Sequence, residues 1–99
     1  MRLTDTQIQN ICNSGKKIFG ENCNVWLFGS RVDDAKKGGD IDLFFEVDPT
    51  TTPGRQKIKL AVLLEDYFGE QKIDLVLHQR NTPEQPIHQW AKHTGVKLC

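Results

Sequence analysis

From Asp40 to Val47 the chain alternates without a break: Ile41, Leu43, Phe45 and Val47 on one side, Asp40, Asp42, Phe44 and Glu46 on the other. A period of two belongs to a β-strand, so Asp40 and Asp42, two residues apart, share a face. The pattern returns over Lys72–Leu77, where Ile73, Leu75 and Leu77 oppose Asp74, Val76 and His78. Strands of this kind need a layer of helices over their apolar side. Their acidic side needs another explanation.

The rest of the chain supplies those helices. Thr4 and Gln7 have capping-box spacing; Ile8, Ile11, Cys12, Gly15, Ile18 and Phe19 follow with helical spacing, and Gly20 stops a helix over Asp5–Phe19. Val25-Trp26-Leu27-Phe28 is a short unbroken apolar run between Asn24 and Gly29, as in a buried strand. Gly29-Ser30 turns the chain into a short polar helix that ends by Gly38-Gly39. Thr52-Pro53 caps and starts a further helix, whose stripe of Leu60, Leu63, Leu64, Tyr67 and Phe68 is read as core and is closed by Gly69. After the break at Asn81-Thr82-Pro83, Pro86, Ile87, Trp90 and Ala91 predict a last short helix closed by Gly95. The expected architecture is one α/β (α+β) domain over residues 1–99: a small mixed sheet, helices on one face and carboxylates on the other.

Bulk properties narrow the function. With 99 residues, 37% hydrophobic and 26% charged, the chain matches a single ordinary globular domain. Thirteen basic residues balance thirteen acidic ones, which argues against strong nucleic-acid binding but leaves a small anionic ligand open. No apolar stretch approaches the ~20 residues that span a bilayer, and from the polar start no secretory signal is expected. Cys12, Cys23 and Cys99, odd in number and widely spaced, are expected to be reduced thiols of a cytoplasmic protein, with Cys12 a small core residue and the other two incidental.

If the strands bearing Asp40/Asp42 and Asp74 are neighbours, three carboxylates converge. Two like charges ~4 Å apart repel by roughly 4 kcal/mol at an effective dielectric near 20, a large fraction of a small domain's stability. Such a group either splays into water or is neutralised by a hard divalent ion, Mg²⁺ above all, which favours carboxylates together with substrate phosphates. Just upstream, Gly29-Ser30-Arg31 joins a strand end to a helix start, where free backbone N–H groups and the helix dipole attract phosphate. Ser30 adds a hydroxyl donor or simply caps the helix; Arg31 can pair with phosphate or with a carboxylate. His78 lies on the carboxylate face as a polar strand end within reach of a nucleotide, whereas His88 and His93 show no ligand spacing. Trp26 is expected in the core, and Trp90 either packs the last helix on the sheet or anchors a partner.

Phe28-Gly29-Ser30-Arg31, then Gly39-Asp40-Ile41-Asp42-Leu43, then Asp74 on a later strand resemble the DNA polymerase β-like nucleotidyltransferase superfamily, and within it the minimal nucleotidyltransferase (MNT) family. The resemblance runs from the leading helix to the Ala91-(x)₃-Gly95 tail. It implies a nucleotidyltransferase fold in which Asp40, Asp42 and Asp74 hold two Mg²⁺ ions and carry catalysis, and Gly29, Ser30 and Arg31 hold the phosphates of ATP. Asp74 is then also the residue that activates an attacking hydroxyl. The resemblance further implies AMP transfer to a hydroxyl of a partner, a small helical HEPN-domain toxin for which the chain is the antitoxin, in a homo- or hetero-oligomer. A binding module that neutralises its partner by contact alone is the competing reading.

Overall fold

Thr4 opens the fold. In the computed structural model, which describes residues 3–29, 41–69 and 71–99, its hydroxyl accepts from the Gln7 N–H and the Gln7 side chain accepts from the Thr4 N–H, a complete capping box for α1 (Asp5–Phe19). Strand β1 (Asn24–Phe28) follows, then β2 (Ile41–Val47), α2 (Pro53–Phe68), β3 (Ile73–Gln79), α3 (Pro86–Thr94) and a two-residue β4 (Val96–Lys97). The sheet order is β3-β2-β1-β4, with β2 and β3 parallel and β1 antiparallel to both β2 and β4. Parallel neighbours require a crossover, and α2 is that crossover.

Helices α1 and α2 cover the face formed by Val25, Leu27, Ile41, Leu43, Phe45 and Val47, all fully shielded and packed with Ile11, Leu60 and Leu64. Each such side chain contributes roughly 1.5–3 kcal/mol relative to exposure. Gly15 lets α1 come close: a Cβ there would lie 2.9 Å from Cε2 of Phe45. Gln56 Nε2 donates to the Ile18 carbonyl at 3.1 Å and ties the start of α2 to the end of α1. On the opposite face α3 packs Ala91 against Phe28, Phe44, Trp26 and Val76. The alternating apolar side is therefore covered by α1 and α2 as expected, and part of the carboxylate side carries a helix of its own.

Several expectations are corrected. Cys12 and Cys99 are bonded as a disulfide, with Cα atoms 6.2 Å apart, so neither is a free thiol and Cys99 is not incidental. The spacing gave no hint because the two lie 87 residues apart and meet only when the C-terminal strand folds back on β1. Cys23 is also not incidental: it is 2% exposed in the core, and burial pushes its thiol up to about 11. The thiol argument for a reducing, cytoplasmic setting loses its footing. Among the described residues no helix is long and apolar enough to cross a membrane. Tyr67, expected in the core stripe, is 48% exposed, because the buried face of α2 narrows to Leu60 and Leu64. β3 runs on past Leu77 to Gln79, and β4 had no sequence signal. The short polar helix expected after Gly29-Ser30 lies outside the described residues.

Candidate active site

The register of the sheet sorts the face beneath α3 into three cross-strand rows. Phe28 pairs with Asp42 and Asp42 with Asp74; Trp26 pairs with Phe44 and Phe44 with Val76; Asn24 pairs with Glu46 and Glu46 with His78. Paired residues in adjacent strands point the same way. The first row therefore carries two carboxylates side by side, bounded by an aromatic ring. The parallel pairing left open by the sequence brings Asp74 beside Asp42, both half-buried. Among the described residues Asp74 makes no hydrogen bond or ion pair with the protein. Asp40, Ser30 and Arg31 lie outside the described residues.

Gly29 closes this row. Its φ of +76° lies in the left-handed region, and a Cβ at this position would collide with the Asp42 carboxylate. Glycine is thus required on two independent grounds, backbone conformation and close approach. The result is a bare stretch of main chain against a carboxylate at the end of β1. A metal-bound phosphate needs this kind of surface: hard oxygen ligands beside backbone with no side chain in the way. The residues present fit a divalent cation.

The third row is built differently. Glu46 Oε2 lies 3.1 Å from Nδ1 of His78, whose Nε2 meets the Thr82 carbonyl at 3.0 Å. Lys92, from α3, brings Nζ within 2.5 Å of Glu46 and 2.7 Å of Glu84. Burial alone would raise the Glu46 pKa, but the hydrogen bonds from Lys92 and His78 outweigh it and hold the carboxyl below its usual range. Lys92 is likewise disfavoured as a cation by burial but held above its usual range by Glu46 and Glu84. His88 is shifted down, first by burial and then by the charge His78 can carry; its Nδ1 accepts from the Gln85 N–H at 3.0 Å, which needs the neutral ring. Arg80 completes the edge, bonding Asp48, Asn24 and the carbonyls of Asn22 and Glu46.

Glu46, His78 and Glu84 bring ligand-type atoms within 4.8 Å of one another, close enough to suggest a metal site. Lys92 already holds the cation position between the two glutamates, so this group reads as an internally neutralised ion network. His78, seen in sequence as a polar strand end, is 5% exposed and bonded at both ring nitrogens. Sequence reasoning missed the network. Its signal was available in His88 and Lys92, four residues apart on one helix face, above the alternating face that carries Glu46 and His78.

A family model described as "Polymerase beta, Nucleotidyltransferase" matches residues 6–98. The chain belongs to the polymerase β-type nucleotidyltransferases. A search among curated proteins found no match. Three helices and a four-stranded mixed sheet agree with this family's fold, and a nucleotidyltransferase domain is a transferase acting on a nucleotide, generally with Mg²⁺. The Gly29–Asp42–Asp74 arrangement is its candidate active site.

Proposed function

We propose that this nucleotidyltransferase moves a nucleoside monophosphate, AMP from ATP, to a hydroxyl of a partner protein, and that the partner is a small helical HEPN-domain toxin for which this chain is the antitoxin. The observation that carries the transferase chemistry is the register of Asp42 with Asp74 beside the bare backbone of Gly29. Asp40, Asp42 and Asp74 are the residues to hold the two Mg²⁺ ions. Bound Mg²⁺ supplies the positive charge that offsets the carboxylates and stabilises the triphosphate and its pyrophosphate leaving group.

The chain's own groups do the remainder. Gly29 and Ser30 offer backbone N–H and hydroxyl donors to the phosphates, with Arg31 as an added cation. Asp74 takes the proton from the acceptor hydroxyl on a carboxylate oxygen. The new bond forms between the acceptor's hydroxyl oxygen and the α-phosphorus as the bond to the pyrophosphate oxygen breaks, and the proton stays on Asp74. Among the described residues Asp74 sits on β3, at one edge of the sheet, which favours an acceptor arriving from outside the domain.

The test is incubation with labelled ATP, Mg²⁺ and the candidate partner, comparing the wild type with Asp40→Ala/Asp42→Ala. Transfer of label that disappears in the variant supports the enzyme. Tight partner binding without transfer, unchanged in the variant, supports a module that neutralises by contact. Mg²⁺ with nucleotide is also expected to raise the melting temperature by ligand linkage; no shift at millimolar ligand counts against the site.

A further inference from the structure

Trp90 is conspicuous for where it stands. Its helix buries Ala91 completely and His88 almost completely against the sheet, yet the indole is 48% exposed. It is not loose: the ring meets Phe28 edge-on, centroids 5.5 Å apart. Phe28 is 5% exposed and is the end member of the row that continues into Asp42 and Asp74. The indole thus borders the carboxylate row, one ring and one strand spacing (about 5 Å) from Asp42. A half-exposed aromatic face fixed by a second ring loses little freedom when a flat ligand lies against it.

We propose that Trp90 is the stacking surface for the base of the nucleotide whose phosphates are held at Gly29, Asp42 and Asp74; this rests on the transferase reading above and adds a base-binding residue to it. The site needs two kinds of grip. Carboxylates, cations and backbone N–H groups engage the triphosphate, which is common to all nucleotides. A π surface engages the base, and stacking tolerates different bases because each presents a flat face. Trp26, the other tryptophan, is packed on Phe44 with centroids 5.4 Å apart and lies in the row covered by α3. Half-buried, it also carries Lys92 and Lys97 Nζ each 5.7 Å from its ring centroid, so its π surface is already engaged within the protein.

The test measures equilibrium binding of Mg²⁺–tripolyphosphate, which has no base, and of a non-hydrolysable Mg²⁺–ATP analogue, on the full chain. The wild type should bind the analogue roughly tenfold or more tightly than tripolyphosphate, within the range for one stacked base. Trp90→Leu should abolish that difference and leave tripolyphosphate binding unchanged, while the lost contact with Phe28 lowers the melting temperature by only a few degrees, about the effect of one aromatic pair. Trp90→Phe should restore most of it. In a Trp26→Phe background, the analogue but not tripolyphosphate should quench the remaining tryptophan emission. Unchanged analogue binding by Trp90→Leu overturns the assignment, and if that variant instead loses partner protein, Trp90 is a protein anchor. Equal loss of both ligands with a lower melting temperature also overturns it, in favour of a packing role. A wild type that binds neither ligand overturns the active-site reading itself.

Discussion

At one end of the face beneath α3, Asp42 lies opposite Asp74; at the other, two rows along the same strands, Glu46 lies opposite His78. The strands, the pairing and the direction of the side chains are shared. What differs is the cross-strand pairing, acid with acid at one end and acid with base at the other. Glu46 is answered inside the protein by His78 and by Lys92, which also reaches Glu84. Asp42 and Asp74 set like charges side by side, with the Asp42 carboxylate packed directly against the backbone of Gly29. One end joins an acid to bases of the same domain, and the other sets two acids side by side, an arrangement that a bound cation would relieve. Phe44, fully buried, tilted against its cross-strand neighbour Trp26 and stacked on His88, separates them.

The sharpest way to break this contrast is to remove a charge at each end in turn. Asp42→Asn or Asp74→Asn should lower nucleotidyl transfer by roughly a thousandfold or more, about 4 kcal/mol in the barrier, and in Asp74→Asn the melting temperature should stay equal to or above that of the wild type. A coincident loss of stability would mean that these carboxylates are structural. Gly29→Ala should come next. The left-handed φ is strained for alanine by about 1–3 kcal/mol, and displacement of Asp42 should reduce transfer by about a hundredfold. Unimpaired transfer by this variant would show that the tight approach is incidental.

Glu46→Gln should give the reverse profile: transfer within about twofold of wild type and stability lower by roughly 1–2 kcal/mol, or about 5–10 °C in melting temperature. A catalytic defect without a thermal one would move Glu46 into the active site. The smallest effect is in the pH dependence of stability. His88 is depressed in the fold, so its contribution is complete above its ordinary value of 6.5 and declines as the pH falls below it. Glu46 is also depressed, and its contribution is lost as the pH falls below 4.5. Lys92 is raised, so its contribution is lost only on the alkaline side, as the pH rises past 10.5. Thermal melts from pH 8 to about pH 2.5 should show one decline beginning near 6.5 and a second below 4.5, and the second should be diminished in Glu46→Gln.

The same contrast explains what could be read without coordinates. Local rules sufficed where one segment's own residues decide its structure: the Thr4–Gln7 box, the Pro53 start and Gly69 stop of α2, and the alternation around Asp42 all reappear. The juxtaposition of Asp42 and Asp74 was legible only on condition that β2 and β3 pair, and they do. Hidden from the sequence was whatever depends on chain segments meeting from far apart. β4 is two residues long and exists through β1; Lys92 finds Glu46 across a helix–sheet contact; Cys12 finds Cys99 across almost the whole chain. The exposure of Tyr67 belongs here too, since only the packing of α2 reveals how narrow its inner face is.

The Cys12–Cys99 bond bears on the outer edge of the sheet. Two residues of strand hold themselves poorly, and β4 relies on Leu98 donating to the Val25 carbonyl at 2.8 Å and Val25 donating to that of Cys99 at 3.0 Å. The covalent clamp to α1 fastens that pair in place. By the chain-entropy argument a ring of this size is worth about 4.5 kcal/mol. Fraying of the tail, ordinarily the cheapest opening in a small domain, is thereby merged with unfolding of the whole. Amide protons at Val25 and Leu98 should exchange with solvent as slowly as those of the central strands, and a reductant would turn the last strand back into a loose end.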